Sequence, residues 1–455
     1  MADDLDSLKT PAPSPSGAPK TKSILLVVFV TLFLDLIGFS IIFPLFPGML
    51  DYYRTVEGDS GLFGLIYSLL QSLTELTGAP QSDWGLVVLF GGVLGSLYSL
   101  LQFLGAPLFG ALSDRVGRKP VLLLSIFGIF ISYVLWFFAG SFSFLVASRL
   151  LGGLMGANLS TATAVVADVT TEQNRTKGMA IVGMAFGLGF ILGPALGGIM
   201  SLIDISALYP ALADYGVNPW SMAAGLAAVL SLLNLVLVGV LLPETRPENA
   251  KPLMRRSNNP FKLFHVEKFP GVSRTNLSYF FFILAFSGME FTLTFVAVEH
   301  MGFTPQGNAM MFVFVGLVLA LMQGGYVRRQ SGKIGTRRMA MHGLYASIPG
   351  LVLIGAVGLW ANIWVLYLGL FCIAVGSAQV NPCLTSLVSV YTPPEEQGRI
   401  MGLFRSLGAL GRVVGPLVAC VMYWRLGAPA AYFLGAASLI IPMMIARRLP
   451  EPAHS

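Results

Sequence analysis

"GFILGPALGG", Gly189 to Gly198, and "GRVVGPLVA", Gly411 to Ala419, share the pattern Gly-x-x-x-Gly-Pro, once in each half of a 455-residue chain. Each lies in an apolar run long enough to cross a bilayer core as a helix, about 20 residues. A similar loop precedes each, "TEQNRTKGM" and "PEEQGRIMG". A second pair sits earlier in each half. "GALSDRVGRK" (Gly110 to Lys119) has a degenerate partner in "GYVRRQSGK" (Gly325 to Lys333), with the same seven-residue glycine spacing. Such self-similarity marks one duplicated bundle.

The rest of the sequence supplies the bundle's contents. Hydrophobic residues make up 55% and charged residues 11%, about half the charged fraction of a soluble domain. Twelve apolar runs are expected to span, at about 24–46, 85–109, 120–139, 143–166, 178–201, 220–242, 276–298, 308–327, 339–360, 362–390, 399–420 and 429–446. The fold class is an all-α membrane protein: twelve transmembrane helices in two pseudo-symmetric six-helix bundles, 23–242 and 276–446. A cytoplasmic linker (243–275) joins them, and tails at 1–22 (disordered) and 447–455 flank them. Cys372, Cys383 and Cys420 fall inside spans and read as core residues. His265, His300, His342 and His454 are isolated, so no metal site is expected, although His300 beside Glu299 stands where a proton could enter. No nucleophile–base set or phosphate loop points to an enzyme.

Lys and Arg orient the spans. With both termini cytoplasmic, 23 of the 28 basic residues lie inside, two (Arg54 and Arg425) outside and three within spans. Topology therefore accounts for the net charge of +6, and no nucleic-acid partner is needed. The first outside loop, Gly48 to Trp84, carries Leu62, Ile66, Leu69, Leu73 and Leu76 at helical steps. This predicts a helix over about 60–77, on the outer membrane surface, over the mouth of the protein or simply packed on it.

Several motifs resemble those of the major facilitator superfamily: "GALSDRVGRKP" after span 2, Arg149 in "SRLLGGLMGA", "GLGFILGPALGG" in span 5 and "LPET" closing span 6. Within it, the chain is most similar to the twelve-helix drug:proton antiporters, the group of the bacterial tetracycline exporters and their animal counterparts. The resemblance implies two bundles around a central cavity, opened alternately to either side by rocking. It implies antiport through the span 5 motif (Gly189, Gly193, Pro194, Gly197, Gly198), which in such antiporters seals the bundles together. It also implies a gating latch from Gly110, Asp114, Arg115, Gly117, Arg118 and Lys119, with Arg329 as the C-half counterpart of Asp114. One departure stands out: the acidic residue that tetracycline exporters carry in span 3 is Ser132 here, so a site for metal-chelated tetracycline is not expected.

Five charges lie within the spans: Asp35, Arg149, Glu290, Arg405 and Arg412. Each unpaired charge at mid-membrane costs roughly 2.5–3.5 kcal/mol or more. They are therefore expected to face a cavity or one another. Asp35, in "LFLDLIGFSIIFPLFP", sits halfway along span 1, and Glu290 just past halfway along span 7, its repeat equivalent. Three roles are open for this pair: carrying a coupled proton, a static ion pair with Asp35 held by Arg149 or Arg412, or substrate contact. In similar antiporters the span 4 arginine, here Arg149, assists proton transfer; bonding to backbone carbonyls is the alternative. Arg405 and Arg412, two turns apart on one face, suit a carboxylate or phosphate, or else neutralise the two carboxylates. With Asn158, Gln379 and Asn381 they are expected to line the substrate cavity. The expected protein is a monomeric, cofactor-free exporter driven by a proton gradient. Its expected partners are protons, the bilayer and an amphipathic organic anion or zwitterion. A metabolite facilitator or symporter, or a lipid-handling or sensing protein, is the alternative. The membrane is a bacterial inner one or a eukaryotic plasma or endosomal one.

Overall fold

A computed structural model describes residues 21–77, 83–170, 172–246, 269–392 and 397–450. Most of both expected tails (1–20 and 451–455) and of the linker (247–268) lies outside the described residues. The first half runs α1 (Thr21–Ser40), α2 (Phe46–Glu57), α3 (Gly61–Thr77), α4 (Asp83–Val116), α5 (Arg118–Phe137), α6 (Phe142–Met155), α7 (Leu159–Val169), α8 (Glu172–Met200), α9 (Ile205–Leu208) and α10 (Ser221–Leu241). The second runs α11 (Pro270–Met301), α12 (Pro305–Leu321), α13 (Arg328–Ile334), α14 (Thr336–Val357), α15 (Ile363–Val390), α16 (Gln397–Ser438) and α17 (Ile440–Arg447).

Eleven stretches among the described residues are long and apolar enough to cross a membrane. The last, Ile400–Arg447, has 48 residues; unbroken, it would run about 72 Å at 1.5 Å per residue. It breaks at Gly427 (φ 79°, ψ 169°), a conformation open to glycine, into two arms of crossing length. Span 1 is shorter than the apolar run 24–46. The α-helix stops at Ser40, and a 3-10 turn at Phe43–Leu45 leads into α2. Pro44 and Pro47 lack the N–H that a continuing helix would use.

The duplication is visible as a repeated hydrogen bond. Ser40 of α1 donates to the Gly189 carbonyl of α8 at 3.1 Å. Ser287 of α11 donates to the Gly411 carbonyl of α16, also at 3.1 Å. In both places a glycine removes the side chain that would hold the helices apart. This register corrects one expectation. Counting back from the serines, Asp35 aligns with Phe282, and Glu290 aligns with Phe43. The two carboxylates are not repeat counterparts; Glu290 sits about 12 Å further along its helix than the place matching Asp35.

The bundles meet towards the end that carries α3. There Gly92 packs on Cys420, Gly95 on Phe291 and Gly316 on Ile191. Gln306 donates to Ser201 at 2.9 Å and Asn308 to the Pro44 carbonyl at 3.3 Å. Towards the other end the facing helices part. A Cβ on Gly187 would just reach Leu319 at 3.9 Å, and one on Gly183, Gly324 or Gly402 would meet nothing within 4 Å. The molecule is closed at the α3 end and open towards the loop between α4 and α5. α3 forms where expected, with a second, inward row beside the leucines. Phe63, Tyr67, Leu70 and Thr74 face the protein, while Leu65, Leu69, Leu73 and Leu76 point outward.

Candidate functional site

Residues of three helices and of the 3-10 turn after α1 meet where the bundles touch. Glu290 of α11 and Arg412 of α16 form an ion pair at 3.2 Å. The Arg412 guanidinium lies 5.4 Å from the centre of the Phe190 ring of α8. Phe190 in turn packs on Phe43 at 6.0 Å and Phe39 at 5.8 Å, and Phe43 on Phe312 at 6.3 Å. In the repeat register Phe43 matches Glu290 and Phe190 matches Arg412. One half therefore presents an ion pair where the other presents two aromatic rings. A cation over an aromatic face is attracted by its quadrupole. The result is a surface that is ionic on one side and apolar on the other.

Asp35 is held differently. It accepts from Asn158 and, at 2.9 Å, from Asn234, which also donates to the Thr31 carbonyl at 3.2 Å. No cation bonds it among the described residues, so the ion pair expected with Arg149 or Arg412 is not formed. Asn158 reaches it because span 4 breaks into a 3-10 turn at Gly156–Asn158, inside a glycine-rich stretch. Asn158 is thus a buried support for Asp35, not a cavity wall. Arg149 is 4% exposed and lies 4.6 Å from the Trp136 ring centre and 6.0 Å from that of Tyr133. It donates to Ser148 at 3.3 Å; one terminal nitrogen has no hydrogen-bond partner among the described residues. The alternative of carbonyl bonding gives way to an aromatic cradle.

The remaining candidates spread out. Arg405 has Tyr279 as its electrostatic neighbour, and Tyr279 stacks on Phe404 at 3.9 Å. Gln379 is buried with its stem against Gly343 of α14, and it donates to the Val375 carbonyl of its own helix at 3.0 Å. It lies between helices of one bundle rather than in a shared cavity. Asn381 is half-buried, its side-chain amide oxygen without a partner among the described residues. In the span 5 motif, Gly189 and Gly193 face α1 of the same bundle, Gly197 faces Ile41 and Pro44 in the turn after α1, Gly198 faces Ala309 of the other bundle, and Pro194 is buried. Ser132 donates to Ile129 within its own helix at 2.8 Å. At the outer end of span 7, Glu299 accepts from Tyr423 and lies 3.5 Å from His300.

The loop after α4 makes a cluster within the first bundle. Arg118 pairs with Asp114 at 2.5 Å and with Asp168 at 2.9 Å, and donates to Ser113 at 2.8 Å. Asp168, at the inner end of span 4, is a half-buried anchor for that arginine. Glu244, from the "LPET" stretch, accepts from the Arg118 N–H at 2.9 Å and the Lys119 N–H at 3.2 Å. It caps α5 where Gly117 has no side chain to do so. A Cβ on Gly117 would collide with the Glu244 carboxylate, and Gly117 also holds φ 119°. Burial alone would raise the Glu244 carboxyl, but donation from the Arg246, Arg118, Lys119 and Thr245 N–H groups outweighs it and holds it below its ordinary value. Arg115 is exposed and offers its carbonyl to Arg246, while Gly110 faces Ser160 loosely at 3.8 Å. In the C-half the glycine doing the work of Gly117 is Gly335, at φ 88° before α14, not Gly332. The pairing by glycine spacing is offset by three residues, so Arg329 does not stand opposite Asp114.

Asn234, Glu244 and Phe43 were not expected at the site, and Phe190 was expected only as the neutral residue at the place of Arg412 in the repeat. Asn234 had a signal, a lone amide in the apolar span 6. Phe43 had one only once Ser40 and Ser287 fix the register.

Two bundles closed at one end around buried charges define a multi-pass membrane transporter. The family model described as Major Facilitator Superfamily matches residues 28–416 and 329–454. The chain belongs to the major facilitator superfamily. It is 36% identical over 461 residues to major facilitator superfamily domain-containing protein 10 of Bos taurus, covering 96% of this chain and 95% of that one. It is 27% identical over 433 residues to the class C tetracycline resistance protein of Escherichia coli, covering 94% and 98%. The crystal structure of the human organic anion transporter MFSD10 superposes with a TM-score of 0.75 at 34% identity, over 94% of this chain and all of that one (100%). A D-xylose–proton symporter shares the fold alone, with a TM-score of 0.70 at 16% identity over 96% and 100%.

Proposed function

We propose that this chain carries amphipathic organic anions across a membrane by alternating access, coupled to protons through Glu290. The observation that carries the reading is the site itself, where the Glu290–Arg412 pair abuts Phe190 and Phe43 of the opposite bundle. An organic anion fits it in two parts. Its acidic group takes the place of the Glu290 carboxylate on Arg412, and its apolar part lies on the two rings. The similarity to the human organic anion transporter supports the same substrate class.

Displacing Glu290 leaves a carboxylate in a largely dry site, which is strongly unfavourable unless it takes a proton. Anion binding and proton binding thus help one another, and by linkage each raises the other's affinity equally. The resemblance to drug:proton antiporters favours export by exchange, with Asp35 a second proton group. The ion pair favours a second reading, in which proton and anion move together.

Proteoliposomes with an imposed pH gradient test both. Uptake of an aromatic carboxylate driven by acid inside supports exchange; uptake driven by acid outside supports co-movement. Uptake indifferent to either gradient, unchanged in Arg412→Gln, would remove the proposal.

A further inference from the structure

At the open end of the second bundle, Arg337, Arg338, Met341, His342, Tyr345 and Arg447 line a cavity of about 260 Å³. It sits between the first turns of α14 and the last turn of α17. No Asp or Glu lines it among the described residues. Its side chains are held in place. Arg447 donates to the Tyr345 hydroxyl at 2.5 Å and lies 5.8 Å from the centre of that ring. Arg337 donates to the Arg447 carbonyl at 2.6 Å. Met341, buried, makes the floor.

The pocket continues into an apolar track. On α14 the exposed positions run Arg338, His342, Tyr345, Pro349 and Val352, all one helix face. On α17, Arg447 is followed by exposed Met444, Ile441 and Ile440 towards the membrane centre. Both stripes change from cationic to apolar at about the level of Tyr345, an aromatic suited to the membrane–water boundary. Inward placement of positive charge accounts for the number of basic residues. It does not account for a cavity between two helices, or for an arginine tied to a tyrosine over the track.

We propose that this pocket binds the phosphate head group of an anionic phospholipid, with its acyl chains along Val352, Met444 and Ile441. Arginine forks match phosphate geometry, and basic pockets between membrane helices suit such head groups. The continuous apolar track singles out a lipid over a free phosphate. This site is separate from the transport site and does not depend on how that one works.

The full chain in detergent, titrated with dioleoyl-phosphatidylglycerol, dioleoyl-phosphatidylcholine or inorganic phosphate and read by native mass spectrometry, tests it. Phosphatidylglycerol is expected to be retained over phosphatidylcholine. Arg338→Gln is expected to weaken that retention about five-fold, the effect of one surface cation, and Arg447→Gln by at least as much. Arg338 is exposed, so its replacement leaves the fold intact as the control for Arg447→Gln. Equal retention of the two lipids, or unchanged retention in Arg338→Gln, would overturn the proposal. Displacement of the lipid by millimolar phosphate would also do so, by identifying a free anion as the ligand.

Discussion

Glu290 holds the Arg412 guanidinium at 3.2 Å, and in the proposed cycle a bound anion would compete with it for that one group. If one proton is taken up with each anion, apparent affinity rises up to about ten-fold per unit fall in pH while Glu290 is titrating. Glu290→Gln is expected to flatten that dependence and leave binding in place; isothermal titration from pH 5 to pH 8 measures it. Arg412→Gln removes the cation and leaves Glu290 unpaired. Anion affinity is expected to fall at least about 30-fold, near the lower end for a buried charge partner. Asn234 has a structural task, holding Asp35 and the Thr31 carbonyl. Asn234→Ala is expected to cost about 1–3 kcal/mol, read as a lower melting temperature. The sequence showed which charges were out of place in apolar runs, because each is conspicuous there. It could not show their partners. Asp35 was free to be matched with Glu290 or Arg412 until the serine–glycine bonds set the register.

At the level of helices, the start of α5 depends on a residue from the end of α10. Gly117 takes a backbone angle other residues avoid and cannot cap, so Glu244 reaches over to do it. Its carboxyl is held below its ordinary value of 4.5. The stabilisation it supplies is therefore complete above about that pH and is lost as pH falls through the lower folded value. Glu244→Gln is expected to melt earlier than the parent at pH 7, by about 1 kcal/mol, the size of a helix cap. The gap should close as pH falls through the folded value, which lies below 4.5, because the parent then loses the charge as well. Melting curves of both proteins across that range check it. Helix positions were legible because apolar runs and glycine–proline punctuation are local signals. Which face turns inward was not. α3 has two apolar rows about 110° apart, and aromatic packing of Phe63 on Phe90 and Phe142 at 5.0 and 5.3 Å decided between them.

For the whole molecule, closure at one end and separation at the other match one of the two states that the proposed alternating access requires. Motion to the other state must part Gln306 from Ser201 and Asn308 from the Pro44 carbonyl. Ser201→Cys with Gln306→Cys, in a chain with Cys372, Cys383 and Cys420 replaced by alanine, provides two thiols across that seam. A short thiol-specific cross-linker is expected to cut transport to background, and a reversible one to restore it on reduction. Two bundles were legible from the repeat, since duplicated motifs imply a duplicated unit. The state of closure was not, because both states use the same helices and differ only in how they lean.

The coupling between proton and anion is the centre of the account, and simultaneous recording of both in proteoliposomes tests it most directly. A gradient of an aromatic carboxylate is imposed with no pH gradient, and a trapped pH dye follows protons while labelled anion is counted. The account predicts proton movement that tracks anion movement in the parent protein and is lost in Glu290→Gln. Anion crossing the parent membrane with no proton movement, or proton movement that persists unchanged in Glu290→Gln, would contradict it.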